Sequence, residues 1–441
     1  MDPSSPRLSG MAVLLTVFLP FALGHYLSAL LRNVNAVLAP KLVGALGLSA
    51  GQLGVLTSAY FFTFALVQLP VGIALDRFGP RRVQVVLLLV AAGGALLFAR
   101  GHGFAQLVAA RAIIGVGLGG CFMSAVKATS TWIAPAKLPS VHGYMIAVGG
   151  LGAASATLPV RLALQFTDWR GVFGALAAMA ACVALLIWLV APRAEPRACA
   201  PVAAHALRSV YRDPSFRRTI GLLLVPHTVF FGVQGLWIGR WLADVAHFSD
   251  AAVAYLLYLS MAGVIFGAIA VGMITEWAGR RGIAALEVGA FGVAVFVLVQ
   301  CAIVANFNPG YQLLSVLFTL VGTITGVEYA IVAQSMPPAL TGRAATCLNL
   351  LIFVGAFLVQ AGFGQIVGAW QPDAHDHYPA IAYRVAFATL VALQLPGLLL
   401  FWWRRRPVSW RGACECRIAT AKEEYEAGSL RPSGEGKARL V

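Results

Sequence analysis

The stretch GIALDRFGPRR, from Gly72 to Arg82, joins two long apolar runs, and a second copy of it lies farther along the chain. That copy, GMITEWAGRR, runs from Gly272 to Arg281. The two copies register at an offset of 200 residues through three pairs: Gly72 with Gly272, Asp76 with Glu276, and Gly79 with Gly279. Each copy ends an apolar run of helix length and begins a short basic loop. The pattern predicts a membrane chain built from two duplicated halves.

The composition supports a membrane location for the apolar runs. Of the 441 residues, 59% are hydrophobic and only 11% are charged, and the mean hydropathy is +0.81. An ordinary soluble domain carries about 25% charged residues, so a soluble fold of this size would lack the polar residues to cover its surface. At about 20 apolar residues per crossing, the chain is predicted to be an all-α polytopic membrane protein.

Twelve apolar runs are predicted to be transmembrane helices. They lie at residues 11–38, 52–75, 83–100, 105–131, 141–164, 171–191, 219–243, 251–275, 283–305, 312–334, 344–369 and 380–403. They are expected to form two pseudo-symmetric six-helix bundles, 1–191 and 219–403, joined by a cytoplasmic linker at 192–218. The remaining residues, 404–441, are a charged cytoplasmic tail that is expected to be disordered.

The loops between these runs differ in charge. The loops after runs 2, 4, 6, 8 and 10 hold thirteen Lys and Arg residues, whereas the alternate loops hold three. Positively charged loops stay in the cytoplasm, so both termini are predicted to be cytoplasmic and the protein to lie in the cytoplasmic (inner) membrane. The net charge of +15 is thus attributed to the basic residues that keep these loops in the cytoplasm, and no nucleic-acid partner is expected.

Three motifs together resemble one family. GIALDRFGPRR is similar to the loop 2–3 signature of the major facilitator superfamily, and Arg111 in RAIIGVGLGG resembles the fourth-helix motif of that family. DWRGVFG, residues 168–174, resembles the usual start of its sixth helix. The resemblance implies alternating access by rocking of two bundles, with helices 1, 4, 7 and 10 lining the cavity.

The basic loops are predicted to be conformational joints as well as determinants of topology. Gly72 and Gly79 let backbones approach closely and turn tightly. Asp76 lies where it can accept hydrogen bonds from helix N-terminal amides or pair with a following arginine. Such a charged joint can hold one packing of the halves and release another. Asp76, Arg77 and Glu276 are therefore candidate gating residues.

Charged residues inside the apolar runs are candidates for function, because a charge at membrane depth costs about 2.5–3.5 kcal/mol on insertion scales. Arg32 is the strongest candidate for binding substrate. Three polar residues at helical spacing share its face, which is expected to line the cavity: His25, Ser28 and Asn35. Arg111, in the outer half of helix 4, is a second candidate.

The stretch around Arg32, HYLSALLRNVNAVLAP, is similar to the first helix of organophosphate antiporters and their anion-transporting relatives. The resemblance implies that Arg32, in an R-x-N setting, contacts the substrate anion. Those antiporters carry a second arginine in helix 7, whereas here the repeat offset places Gln234 at that position. A single fixed cation suits a monovalent anion or carboxylate better than a phosphate dianion.

The same offset pairs His25 on helix 1 with His227 on helix 7. Histidine titrates near neutral pH, so these residues are candidates for proton coupling, with hydrogen-bonded core roles as the alternative. Further candidates for the cavity lining, each with core packing as the alternative, are Tyr60, Gln234, Trp237 and Asn349.

Lys127 and Glu328 are related by the repeat and lie near the inner ends of helices 4 and 10. A two-fold relation brings such positions face to face when the inner side closes. They are therefore predicted to form a cytoplasmic gate, and the alternative is that each finds a separate partner.

The leading hypothesis is a secondary active transporter of a small anionic solute, driven by protons and functional as a monomer in the lipid bilayer. No cofactor and no metal site are predicted. An enzyme is not expected, because Glu328 is the one acid well inside an apolar run and no catalytic cluster accompanies it.

Two alternatives remain for the function. Proton-driven efflux of drugs or metabolites is disfavoured because AVGGLGAASATLP, residues 147–159, lacks the Gly-Pro pair usual in helix 5 of efflux antiporters. The second alternative is a sensor on a transporter scaffold that binds its ligand without moving it.

Overall fold

The computed structural model describes residues 10–133, 138–192, 204–305, 310–336, 341–374 and 376–403. The chain divides into one unit that ends at Leu398 and a second that begins at Leu399, of which only the end of the last helix is described. The predicted disordered tail, 404–441, lies outside the described residues, as does 193–203 of the predicted linker.

Seven helices make up the first half of the described chain. They are α1 (Met11–Asn33), α2 (Asn35–Leu46), α3 (Ala50–Leu66), α4 (Gln68–Ala99), α5 (Phe104–Trp132), α6 (Val141–Ala163) and α7 (Trp169–Val190). A short helix, α8 (Ala204–Arg212), lies in the predicted linker. The next helix begins at Pro214, before the predicted end of the linker at residue 218.

Seven more helices follow the linker. They are α9 (Pro214–Gln234), α10 (Trp237–Asp244), α11 (Asp250–Arg280), α12 (Ala285–Val304), α13 (Tyr311–Ser335), α14 (Thr341–Val367) and α15 (Ala380–Trp403).

The predicted all-α polytopic fold is confirmed. Within the described residues, ten helices are long and apolar enough to cross a membrane, and the bent pair of α9 and α10 makes an eleventh. The apolar helix α3 has 17 residues and leads directly into α4. The helical run of α4 is interrupted at Gly79. Residues 50–78, which combine α3 with the start of α4, therefore correspond to the second predicted run, 52–75. Residues 80–99 correspond to the third predicted run, 83–100.

The two repeated loops turn at glycines with left-handed backbone. Gly79 has a φ of +77°, and Gly282, directly after the second copy, has a φ of +78°. An L side chain rarely adopts this conformation, so the predicted tight turn at Gly79 is confirmed. The close approach expected at Gly72 is not observed, because a Cβ added there meets no atom within 4 Å.

The first crossing of each half is interrupted at an equivalent place, but to a different degree. At Val34, between α1 and α2, the break is slight, since the backbone keeps a helical φ of −57° and ψ of −31°. At residues 235–236, the repeat counterpart, α9 and α10 are bent by 55°. The two breaks face each other, since a Cβ on Gly235 would lie 3.9 Å from Oδ1 of Asn33. In membrane transporters, paired helix breaks of this kind mark the binding site.

The two halves pack closely at one end of the bundle. We call the end of the bundle that carries the Asp76 and Glu276 loops the basic face. The end that carries the α2–α3 and α14–α15 connections is called the opposite face. Near the opposite face, α3 and α14 meet through the glycine seam, which consists of Gly51, Gly54, Gly364 and Gly368. A Cβ on Gly364 would lie 2.7 Å from the carbonyl oxygen of Ala50. Only glycine permits such an approach of two helix backbones.

Candidate functional site

Arg32 lies at the centre of the bundle, two residues before the break between α1 and α2. Its guanidinium carbon is 5.2 Å from the ring centre of Phe231, which belongs to α9 in the other half. Among the described residues, Arg32 forms neither an ion pair nor a hydrogen bond. A cation at membrane depth that is held only by an aromatic face retains its capacity to bind an anion.

A second guanidinium lies close to this position. Arg111 is fully buried, and its Nη1 donates to the carbonyl oxygen of Leu31 at 2.8 Å. Its Nε and Nη2 have no hydrogen-bond partner in the described part of the chain. The Arg111 guanidinium also lies over the Tyr60 ring at 5.4 Å, and the Tyr60 hydroxyl is 3.4 Å from Oγ of Ser28. The first half thus presents two cations, and neither contacts a described carboxylate.

The second half holds a buried acid–base pair. Nδ1 of His227 lies 2.5 Å from Oε1 of Glu328, and the two side chains are 3% and 0% exposed. Oε2 of Glu328 has no described hydrogen-bond partner. A 3-10 turn, Thr323–Gly326, interrupts α13 just before this residue and sets the direction of its side chain. A basic and an acidic side chain are thus paired inside the protein, away from solvent.

Phe231 connects the cation to the acid–base pair. Its ring centre is 5.0 Å from that of His227, with 35° between the planes, and the guanidinium carbon of Arg32 lies 5.2 Å from the same ring centre. Phe230 and Phe353 also pack edge-on against this ring. Tyr329 packs edge-on against His227 at 6.0 Å and donates its hydroxyl to Oδ1 of Asn349. Arg32, Phe231, His227 and Glu328 therefore form one continuous series of contacts across the two halves.

Two other predicted lining residues of the first half, His25 and Asn35, have contacts outside this series. His25 packs against Phe122 at 5.0 Å, and its Nδ1 is buried with no partner in the described residues. Asn35 is fully buried and donates to Oγ1 of Thr57 at 3.4 Å. Asn35 therefore faces α3 of its own half in this conformation and not the space beside Arg32.

In the second half, Gln234 and Trp237 flank the break between α9 and α10. Nε2 of Gln234 donates to the sulfur of Met261 at 3.5 Å. Trp237 is fully buried, and its Nε1 donates to the carbonyl oxygen of Gln360 at 3.0 Å. Trp237 thus belongs to the closed packing toward the opposite face.

The candidate gating residues lie at the basic face. Nζ of Lys127 is 2.5 Å from Oδ1 of Asp76, and the two side chains are 44% and 33% exposed. Arg77 does not join this pair; its guanidinium lies 5.2 Å from the ring of Phe78. Glu276 pairs with Arg280 one turn away in its own helix.

The predicted partners Lys127 and Glu328 are not together in this conformation. Lys127 pairs with Asp76 inside the first half, and Glu328 pairs with His227 inside the second. Repeat symmetry relates the positions of two residues, but the nearest oppositely charged group within each half determines how the side chains pair.

Sequence reasoning did not single out Phe231 or Asp244. Phe231 carries no charge, and its role follows only from contacts with Arg32 and His227. Asp244 accepts from residues more than 130 positions away. For metals, no group of three or more potential ligands occurs among the described residues.

The broken helices, the duplicated halves and the central cations define a membrane carrier of the two-bundle type. The chain belongs to the Major Facilitator Superfamily, whose sequence profile matches residues 21–360. Membership of this family indicates a transporter and not an enzyme.

Two curated relatives match part of the chain. One is the "Probable sulfoacetate transporter SauU" of Cupriavidus necator, 31% identical over 155 residues, which are 35% of this chain and 36% of the relative. The other is the "Uncharacterized transporter YybO" of Bacillus subtilis, 30% identical over 142 residues, which are 32% of this chain and 33% of the relative. The chain thus spans about a third of the length of each relative.

Solved structures share the fold over most of the chain. A bacterial homologue of the human lysosomal transporter Spinster, in an inward-facing and unoccupied conformation, superposes with a TM-score of 0.71 at 18% identity, over 88% of this chain and 95% of that chain. A D-xylose-proton symporter superposes with a TM-score of 0.63 at 16% identity, over 86% of this chain and 96% of that chain.

Proposed function

We propose that this protein is a secondary active transporter that moves a small organic anion across the cytoplasmic membrane together with protons. The observation that carries the proposal is the distribution of charge around Phe231. Arg32, on the side of the first half, has no described anionic partner, whereas the second half places a protonatable pair against the same ring. One element can then bind the solute and the other the proton.

The solute in this proposal is a small carboxylate or sulfonate. Arg32 and Arg111 supply guanidinium groups, which bind planar or tetrahedral oxyanions through two parallel hydrogen bonds. The name of the Cupriavidus necator relative, which refers to a molecule with one carboxylate and one sulfonate, supports this class. A solute with two anionic groups would use both guanidinium groups, and a singly charged one would use Arg32.

The proton enters through the pair of His227 and Glu328. With the histidine neutral and the carboxylate ionised, the pair carries one negative charge, which offsets the positive charge of the nearby Arg32. Uptake of one proton makes the pair neutral and leaves Arg32 uncompensated, so the protonated carrier binds an anion more tightly. Because coupling of two binding equilibria is reciprocal, the bound anion also strengthens proton binding, as symport requires.

In this proposal, Lys127 and Glu328 pair as a gate only in the alternate conformation, in which the basic face is closed. In the conformation described here the halves pack at the opposite face, and Lys127 is exposed at the basic face. Closing the basic face requires Lys127 to leave Asp76 and Glu328 to leave His227. Protonation of Glu328 removes the charge that would attract Lys127, so proton binding and gate closure are linked.

Thermal unfolding of the purified protein in the presence of single solutes tests the substrate class. A ligand that binds the folded state raises its apparent stability in proportion to the logarithm of its concentration. We expect small carboxylates or sulfonates to raise the melting temperature of the wild type and to leave the Arg32→Gln variant unchanged. Stabilisation by lipophilic drugs alone would favour efflux, and stabilising binding without transport would favour a sensor.

A further inference from the structure

Asp244, the last residue of α10, is the centre of a buried hydrogen-bond network at the opposite face. Its side chain is completely buried, and the guanidinium of Arg240, one turn earlier, pairs with it at 2.9 Å. The hydroxyl of Tyr383 on α15 donates to its Oδ2 at 2.6 Å. Nδ1 of His377 lies 3.2 Å from its Oδ1. Removing one partner of such a buried carboxylate costs free energy, because the charge of the carboxylate is left uncompensated.

The same carboxylate fixes the loop between α14 and α15. The backbone N–H of Tyr378 lies 3.4 Å from Oδ2 of Asp244, and the guanidinium of Arg240 donates to the carbonyl oxygen of Asp376 at 3.2 Å. Asp244 therefore holds the loop residues Asp376, His377 and Tyr378 against α10. The position of the Tyr378 side chain follows from these contacts.

Tyr378 carries the network across to the other half. The backbone N–H of Ala50 donates to the Tyr378 hydroxyl at 3.0 Å. Ala50 is the first residue of α3, where an amide has no partner within its own helix. The tyrosine hydroxyl supplies that partner, and Ala50 lies directly beside the glycine seam. The contact joins the two halves at the end of the bundle where they are closed.

A cavity of about 290 Å³ lies beside this contact. It is bounded by residues of both halves, including Ser49 and Leu53 of the first and Trp237, Arg240 and Tyr378 of the second. Trp237 borders it and lies in a slot made by two glycines of the seam. A Cβ on Gly54 would be 3.2 Å from the indole. The network and the indole thus border the same cavity where the two halves meet.

We propose that Asp244, Tyr378 and Ala50 form a latch that holds the opposite face closed, with the carboxylate positioning the loop and the tyrosine hydroxyl joining the halves. The latch goes beyond the proposed transport function and does not depend on what the protein carries. Opening of the opposite face breaks the bond between Tyr378 and Ala50, while the Asp244 network stays within the second half. Weakening either part therefore favours the conformation that is open at the opposite face.

The distance between two spin labels tests the latch without any substrate. Labels on cysteines placed at Ala45 of α2 and Gln312 of α13, both exposed, report the separation of the halves at the opposite face. The background is the full chain with its seven native cysteines replaced, reconstituted in lipid nanodiscs. Wild type is expected to show mainly the short distance. Tyr378→Phe and Asp244→Asn are each expected to raise the ratio of long to short distances about ten-fold, the change that follows from losing a charged or buried hydrogen bond.

The matched control is Asp250→Asn, an exposed acid at the start of α11 on the same face. It is expected to leave the distances unchanged. Tyr378→Phe keeps the ring and decides the question if Asp244→Asn does not fold. Because the two residues act in series, the double variant is expected to match the single variants. Unchanged distances in Tyr378→Phe, or fully additive effects in the double variant, would overturn the latch.

Discussion

The imidazole of His227 and the carboxylate of Glu328 lie 2.5 Å apart with almost no exposure to solvent, although the residues are 101 positions apart in the chain. Both side chains belong to the second half, on α9 and α13. A pair of this kind persists in a membrane protein when each member satisfies the other. Its place one ring away from Arg32 makes it the proton site of the proposed mechanism.

Glu328→Gln is expected to abolish accumulation driven by a pH gradient and to preserve exchange of the anion. Glutamine keeps the shape and a hydrogen bond to His227 but cannot bind a proton. The measurement compares pH-driven uptake with solute counterflow in the same proteoliposomes. Glu287→Gln, at the start of α12, is the control. Loss of counterflow and uptake together in a folded Glu328→Gln protein would argue against a coupling role.

Arg32→Gln is expected to weaken anion binding about 10- to 100-fold, because a hydrogen bond to a charged group contributes about 1.5–3 kcal/mol. Arg32→Lys keeps the charge and loses the two-point geometry, so an intermediate affinity is expected. Calorimetric titration with the best anion measures both. Arg384→Gln, which removes an exposed guanidinium that donates to the carbonyl oxygen of Val304, is the control. An unchanged affinity in Arg32→Gln would remove this residue from the site.

Phe231→Leu is expected to flatten the pH dependence of anion affinity more than it lowers the affinity itself. The variant removes the ring that contacts both Arg32 and His227. The measurement is the dissociation constant of the anion as a function of pH. Phe230→Leu, which removes a ring that packs against His227 and Phe231 but not against Arg32, is the comparison. Should Phe231→Leu retain the wild-type pH profile, the ring plays no part in coupling.

Asp76→Asn and Lys127→Gln are expected to change the rate of exchange without changing equilibrium affinity, since both act at the basic face and not at Arg32. The two variants should give similar rates, because each removes one side of the same pair. The free energy of unfolding should change by less than about 1 kcal/mol, as for other exposed pairs. Glu276→Gln, whose partner lies in its own helix, should have a smaller effect on rate. A large loss of affinity in Asp76→Asn would contradict the gating role.

Gly54→Val is expected to destabilise the closed packing of the halves by about 1–3 kcal/mol, the usual cost of overfilling a packed interface. A Cβ at this position lies 3.0 Å from the carbonyl oxygen of Gln360. The melting temperature measures the effect. Gly174→Val is the matched control, since a Cβ there meets no atom within 4 Å. Equal melting temperatures for the two variants would show that the seam tolerates side chains.

The all-helical architecture with two duplicated halves could be predicted from the sequence, because it depends on short-range patterns. Apolar runs of membrane length predict helices wherever they occur, and the copies at Gly72 and Gly272 fix the duplication. The structure adds that the breaks at Val34 and Gly235 also obey the repeat. Those breaks leave no mark in an apolar pattern, because a bent helix and a straight one have the same hydropathy.

The side-chain partners could not be predicted in the same way. The repeat places Lys127 and Glu328 at related positions, yet each pairs with a residue of its own half. Asp244 lies directly after the predicted apolar run 219–243, and its importance arises from His377 and Tyr383, which only the folded chain brings to it. Directions of side chains depend on helix rotation and neighbouring helices, which a single sequence does not contain.

Uptake by the purified wild-type protein in proteoliposomes, under an imposed pH gradient, tests the central claim most directly. The solutes are a panel of small carboxylates and sulfonates, including sulfoacetate, with a neutral sugar as the control. We expect at least one anion to accumulate when the outside is acidic, and we expect dissipation of the gradient to abolish accumulation. The Glu328→Gln substitution is expected to abolish it as well. If the uptake of every anion tested did not depend on the pH gradient, proton-coupled anion transport would be contradicted.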